Sequence, residues 1–209
     1  MRVSAPCQET GLSASDSAPR SKKSLLRPSM RVTHIKQIDI AILQERGIKG
    51  IIFDLDDTLV KSFEPTADPD VSRWLVQIQR EFAVFIVSNN ASDLRVRLAS
   101  EHLGVMGIAQ AGKPSRRSFR KALQLMNLQV HEVAIVGDQL FTDILGGNRL
   151  GALTILVDPL STEVGWHRNL MRAFERYILK RAGVTHQQPL KRSGTAPLAS
   201  GTASLSRTD

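Results

Sequence analysis

Two carboxylates, Asp54 and Asp56, stand two residues apart at the end of the apolar run Lys49–Asp54. In an extended chain that spacing aims both side chains to one side. Close carboxylates repel unless a cation lies between them or one takes a proton, and either solution is useful for chemistry. A solvated acidic turn is the bland alternative. Three more groups with chemistry follow other apolar runs. Ser88-Asn89-Asn90 offers a hydroxyl and two amides just ahead of a helical segment, which can hold an anion or simply cap the helix. Lys113 can set an ammonium beside a phosphate as a point charge. Gly137-Asp138 ends a further run, and Asp143 lies about a turn into the next segment. With Asp54 these acids could supply hard oxygen ligands for Mg²⁺, which takes few carboxylates and keeps several waters. A helix cap at Asp138 and a surface position for Asp143 are the ordinary readings. Each signal is modest by itself; all of them in order, each at a strand end, make a strong candidate site.

The elements that must carry these residues are legible from periodicity. Strand-like runs cover Lys49–Asp54, Ala83–Val87, Val105–Ala109, Val133–Val136 and Ala152–Val157. Helical spacing covers Ile38–Arg46, Asp70–Phe82, Ser92–Leu103, Pro114–Asn127 with proline at its first position, and Leu140–Leu150. Strands alternating with helices predict βαβ units and an α/β fold around a central parallel sheet of about five strands. In such sheets the site lies beyond the carboxyl ends of the strands.

The 209 residues are 42% apolar, enough for one well-packed domain. A single cysteine, Cys7, excludes an intramolecular disulfide and a cysteine-based zinc site. No run has the ~20 apolar residues of a membrane span, and no apolar stretch near the N-terminus suggests a secretory signal. Net charge is +8, divided as +5 over residues 1–36, −3 over 37–165 and +6 over 166–209. A basic balance suggests anionic membrane or nucleic acid, here only at the ends. Composition predicts a disordered basic tail over 1–28, a domain over 29–165 and a flexible tail over 183–209. The basic, Ser-rich start also suits an organellar transit peptide, against which Glu9 and Asp16 count. Over 166–182, Trp166, Leu170, Phe174, Tyr177 and Ile178 make an apolar stripe, with Arg168, Arg172, Arg176 and Lys180 on another side. That pattern fits an interfacial amphipathic helix or a core-packed helix with a solvated basic face.

The four groups together resemble the haloacid dehalogenase superfamily. DLDDT matches its DxDx[TV] signature, Ser88 its second-motif hydroxyl, Lys113 its third-motif lysine and GDQLFTD its GDxxxxD. The longer run GDQLFTDILGGNRLG, with LLRPSMRV ahead of the first strand, is similar to the subfamily IIIA phosphatases, relatives of the phosphatidylglycerophosphate phosphatases of mitochondria and plastids. The resemblance implies a Rossmann-like three-layer sandwich and a Mg²⁺-dependent phosphomonoesterase. Asp54 would be the nucleophile, Asp56 the general acid and then base, and Ser88 and Lys113 the groups on phosphate. Asp54, the Asp56 carbonyl and Asp138 would bind Mg²⁺, with Asp143 supporting the metal or Lys113. Thr58 and Asn89 would join the phosphate site.

Neither the loop between Thr58 and Asp70 nor the span from Ser88 to Lys113 has room for a cap domain, so the site is expected to be open. Open sites suit large substrates. Arg116 and Arg120, one turn apart, could bind a second phosphate or form a solvated basic face. By the resemblance the substrate is phosphatidylglycerophosphate, met in the cytoplasm at the inner membrane face, or in an organelle if residues 1–28 are a transit peptide. The rivals are a small phosphate ester, a phosphoprotein or a nucleic-acid end, and a non-enzymatic nucleic-acid- or ribosome-binding protein. The complete catalytic set argues against a non-enzyme, and an aromatic content of 5% against a single-strand binding platform, so nucleic acid is not the expected partner.

Overall fold

Four consecutive residues, Gly50–Phe53 (β2), are all buried, as a central strand covered on both faces requires. In the computed structural model, which describes residues 24–62, 64–161 and 179–180, this strand lies inside a six-stranded parallel sheet. The other strands are β1 (Met30–Val32), β3 (Ala83–Val87), β4 (Met106–Ile108), β5 (Val133–Gly137) and β6 (Leu153–Val157). Their order is β1-β6-β5-β2-β3-β4.

Alternation along the strands divides the core in two. Ile51, Phe53, Ile86, Val136 and Ile155 pack with Leu43, Leu75, Ile78, Val96 and Leu103. Those partners belong to α1 (Ile40–Glu45), α2 (Pro69–Ile78) and α3 (Asp93–Leu103). Ile52, Phe85, Val87 and Ile135 face the other way, onto Phe119, Ala122 and Leu123 of α4 (Arg117–Met126). The result is the expected three-layer sandwich. Local signals set the helix ends. Asp39, Asp68 and Ser92 accept from backbone N–H groups at the N-termini of α1, α2 and α3. Gly104 ends α3 in the left-handed conformation that glycine adopts without steric cost.

Three expectations are corrected. The sheet has a sixth strand, β1, whose three residues are too few to show a period; it exists because it pairs with β6, Met30 opposite Ile155. Helix α4 begins at Arg117, not Pro114. The chain first turns through a cis Lys113–Pro114 bond, and Ser115 donates its N–H to the Gly112 carbonyl. The helix expected over Leu140–Leu150 opens with a π turn, Leu140–Ile144, before continuing as α5 (Leu145–Leu150).

Residues 24–28, which composition assigns to the tail, are part of the fold. Asn148 on α5 donates to the carbonyls of Leu25 and Arg27. Between β2 and α2 there are only turns, and between β3 and β4 only α3, so no cap domain is inserted at either place among the described residues. No helix among them is long and apolar enough to cross a membrane. Of the segment 166–182, Leu179 and Lys180 are described; they are helical, and Leu179 is buried with Leu140, Ile144 and Leu156. The expected apolar stripe Trp166–Ile178 and the two expected tails, apart from residues 24–28, lie outside the described residues.

Candidate active site

The strand order reverses direction at β2. From there the chain steps outward to β3 and β4, then returns to build β5 on the other side. That switch opens a crevice at the carboxyl ends of β2 and β5. Asp54 follows β2, and Asp138 follows β5. The Asp54 N–H donates to the Val136 carbonyl at 2.8 Å, so the sheet ladder continues up to Asp54 itself.

Lys113 comes from the turn after β4 and is only 6% exposed. Its Nζ donates to Asp54 Oδ1 and to Asp143 Oδ1, each at 2.6 Å. The π turn is what presents Asp143. Both the Asp143 and Ile144 N–H groups donate to the Gln139 carbonyl. The second Asp143 oxygen accepts from the Gln139 N–H, while Leu140 and Ile144 keep their side chains in the core. Gly137 is required here, because a Cβ on it would lie 2.3 Å from the Asp143 carboxyl carbon.

Oxygens of Asp54, Asp138 and Asp143 lie within 4.8 Å of one another, and all three residues are buried. Two of these carboxylates, Asp54 and Asp143, share one ammonium, and Asp138 stands beside them, an excess of acidic groups where desolvation is severe. Burial pushes the Asp54 carboxyl up to about 7, Lys113 opposes that and Asp143 adds to it. For Lys113, burial works against the charge, but Asp143 and Asp54 outweigh it and raise its pKa. A divalent cation would relieve the same excess, and a compact set of hard oxygens with one buried lysine fits such an ion.

Asp56 belongs to a different environment. Its side chain is 18% exposed. Oδ2 accepts from Asn90 Nδ2 at 2.9 Å and Oδ1 from Arg95 Nε at 2.9 Å. Ser88 Oγ stands 3.5 Å from Oδ2 and accepts from the Asn90 N–H. The turn after Asp56 is tight. Asp57, at positive φ, donates its N–H to the Val60 carbonyl and takes both the N–H and the hydroxyl of Ser62 on its carboxylate.

The remaining expected residues divide by position. Thr58 is buried, and its hydroxyl makes no hydrogen bond among the described residues. Asn89 accepts from the Lys113 N–H at 2.7 Å and donates to the Lys113 carbonyl at 3.1 Å, so its amide holds the lysine turn. Arg116 and Arg120 line an open groove of about 750 Å³ with Arg117, Lys121 and Arg149, starting at Pro114.

Sequence reasoning missed Arg95. A signal existed: a cation in the first turn of a helix opposes the macrodipole and calls for a carboxylate partner. It also read Asn90 as an anion-holding or capping residue, not as a partner of Asp56. Asn148 lay unremarked inside the GGN stretch.

Residues 110–173 match the HAD-hydrolase-like family and residues 17–104 match the family of mitochondrial PGP phosphatases. A probable phosphatase of Bacillus subtilis, YqeG, is 42% identical over 75% of this chain and 91% of its own length. The chloroplastic/mitochondrial phosphatidylglycerophosphate phosphatase 1 of Arabidopsis thaliana is 28% identical over 82% of this chain, which spans about half of that protein, 52%. Its chloroplastic counterpart in Chlamydomonas reinhardtii is 28% identical over 67% of this chain and 55% of its length. A likeness as close as that to the Bacillus protein, over nearly its whole length, means that the chain belongs to the haloacid dehalogenase-like phosphatase family and is a phosphoric monoester hydrolase.

Proposed function

We propose that the chain hydrolyses phosphatidylglycerophosphate with Mg²⁺, through an aspartyl-phosphate on Asp54. The observation that carries the mechanism is the division between Asp54, buried and held by Lys113 at 2.6 Å, and Asp56, at the rim with partners of its own. In the first half-reaction an Asp54 oxygen forms a bond to phosphorus and the ester P–O bond breaks. Asp56 gives its proton to the leaving oxygen. In the second, Asp56 takes a proton from water as the water oxygen attacks phosphorus. The acyl-phosphate P–O bond breaks and Asp54 returns as a carboxylate with inorganic phosphate. Lys113 offsets the charge brought together by carboxylate and phosphate, Ser88 and Thr58 offer hydroxyls to the phosphoryl oxygens, and Asn89 keeps the lysine turn in register. Asp54, Asp138 and Asp143, with the carbonyl of Asp56, would hold Mg²⁺. When bound, the ion supplies charge stabilisation for the transferring phosphoryl group.

Three things support the lipid substrate: the relatives named as phosphatidylglycerophosphate phosphatases, the absence of an inserted cap among the described residues, and the basic groove. In the groove Arg116 and Arg120 would meet a second phosphate group, from the membrane's inner face or an organellar leaflet. The test is phosphate release from phosphatidylglycerophosphate in mixed micelles against a panel of soluble phosphomonoesters. EDTA with Mg²⁺ add-back and an Asp54→Asn control complete it. Strong preference for the lipid, lost on chelation and restored by Mg²⁺, is expected. Turnover of soluble esters alone would overturn the substrate, and EDTA-insensitive turnover would overturn the metal.

A further inference from the structure

Arg95 stands at the start of α3, and its side chain is 19% exposed. Every nitrogen of its guanidinium is engaged. Nε donates to Asp56 Oδ1 at 2.9 Å, one terminal nitrogen to the Glu64 carbonyl at 2.6 Å, and the other to the Lys61 carbonyl at 3.0 Å. The three acceptors belong to the segment that leaves β2 and forms the rim of the crevice. With Asn90 on Oδ2, both oxygens of Asp56 are fixed by donors that precede or open α3.

We infer that Arg95 is the positioning residue of the general acid–base group, locking Asp56 and the turn behind it into one unit. This rests on the Asp56 role proposed above. The physical case is geometric. Asp56 must give a proton to the leaving oxygen and take one back from water, so a single aim serves both half-reactions. A carboxylate on a turn has χ freedom that a proton transfer over hydrogen-bond distance cannot tolerate. A planar fork that holds one carboxylate oxygen and two backbone carbonyls removes that freedom from side chain and loop together. Lysine, a point charge on a flexible stem, can replace one of these contacts but not the fork. Arg95 donates to Asp56, Glu64 and Lys61 and not to the Lys113 cluster, so its loss should act on proton transfer more than on phosphate binding.

The test compares Arg95→Gln, Arg95→Lys and Asp56→Asn in the Mg²⁺-loaded enzyme on an alkyl phosphate, whose leaving oxygen needs a proton, and on p-nitrophenyl phosphate, whose leaving oxygen does not. The readout is the ratio of kcat/KM for the two esters, which reports the first chemical step. Loss of the positioning residue is expected to raise the preference for p-nitrophenyl phosphate on the order of 10–100-fold, with KM little changed. Arg95→Lys should recover part of the loss and guards against a Gln variant that folds poorly. A uniform loss on both esters in Arg95→Gln and Arg95→Lys, beside a leaving-group-dependent loss in Asp56→Asn, would overturn the inference alone. A uniform loss in Asp56→Asn would overturn the general-acid reading and the inference with it.

Discussion

Two buried polar clusters share the stretch from Gly137 to Thr154, and they are built on opposite terms. Around Lys113 the groups are charged: three carboxylates and one ammonium, leaving negative charge in excess. Around Asn148 they are neutral. Asn148 Nδ2 donates to the Leu25 and Arg27 carbonyls, and its Oδ1 accepts from the Thr154 hydroxyl. That hydroxyl accepts in turn from the Ser29 N–H at 3.1 Å. The first cluster crowds acids together in a buried place, an arrangement that a bound divalent cation would relieve. The second is satisfied by the chain itself and staples the N-terminal segment and β1 to the sheet edge. A buried charge kept without full compensation marks chemistry, whereas a buried amide with its partners in hand marks structure.

Substitutions should separate the two. Asp54→Asn removes the proposed nucleophile and one buried carboxyl. Turnover should fall roughly 10,000-fold or more, while the melting temperature of the metal-free protein stays level or rises. A clear drop in that temperature would mean that the cluster stabilises the fold. Lys113→Met removes the buried ammonium that Asp54 and Asp143 share. It should cost about 3–5 kcal/mol of metal-free stability, read by urea unfolding, with part recovered on adding Mg²⁺. Asn148→Ala takes the side-chain donor from the Leu25 and Arg27 carbonyls and the acceptor from the Thr154 hydroxyl, at a cost of about 2–3 kcal/mol. Active-site titration should show normal turnover per folded molecule, and a specific loss of kcat would break the contrast. Thr154→Val keeps the shape and deletes one hydroxyl. It should cost about 1 kcal/mol, with backbone protection lost first at Met30–Val32 in hydrogen exchange.

The placement of the candidate site residues was readable because strand ends are local. The runs that become β2 and β5 are apolar on both faces, and a carboxylate directly after each has one direction to go. Ser88 was readable for the same reason, and Lys113 from its place just ahead of the helical spacing that follows β4. β1 was not, since Met-Arg-Val gains its strand character from β6 across 125 residues. Nor was the π turn at Leu140, because helical spacing hardly changes when one residue is added; its cause is the demand that Asp143 reach Lys113 while Leu140 and Ile144 stay buried. The Pro114 start of α4 looked sound by propensity and was overridden by the turn that delivers Lys113.

The residue types and their spacing by themselves determined the α/β class, the parallel sheet, and which acids and which lysine meet at its carboxyl edge. Periodicity and strand-end position are properties of a few consecutive residues. Tertiary structure decided the partnerships: between the alternatives of metal and lysine it put Asp143 on Lys113 from 30 residues away, and it paired Arg95 with Asp56 across 39 and Asn148 with Leu25 across 123. Hydrogen-bond partners distant in the chain are chosen when the sheet brings segments side by side. What an arginine or an asparagine does there depends on which oxygens the fold leaves within about 3 Å of it.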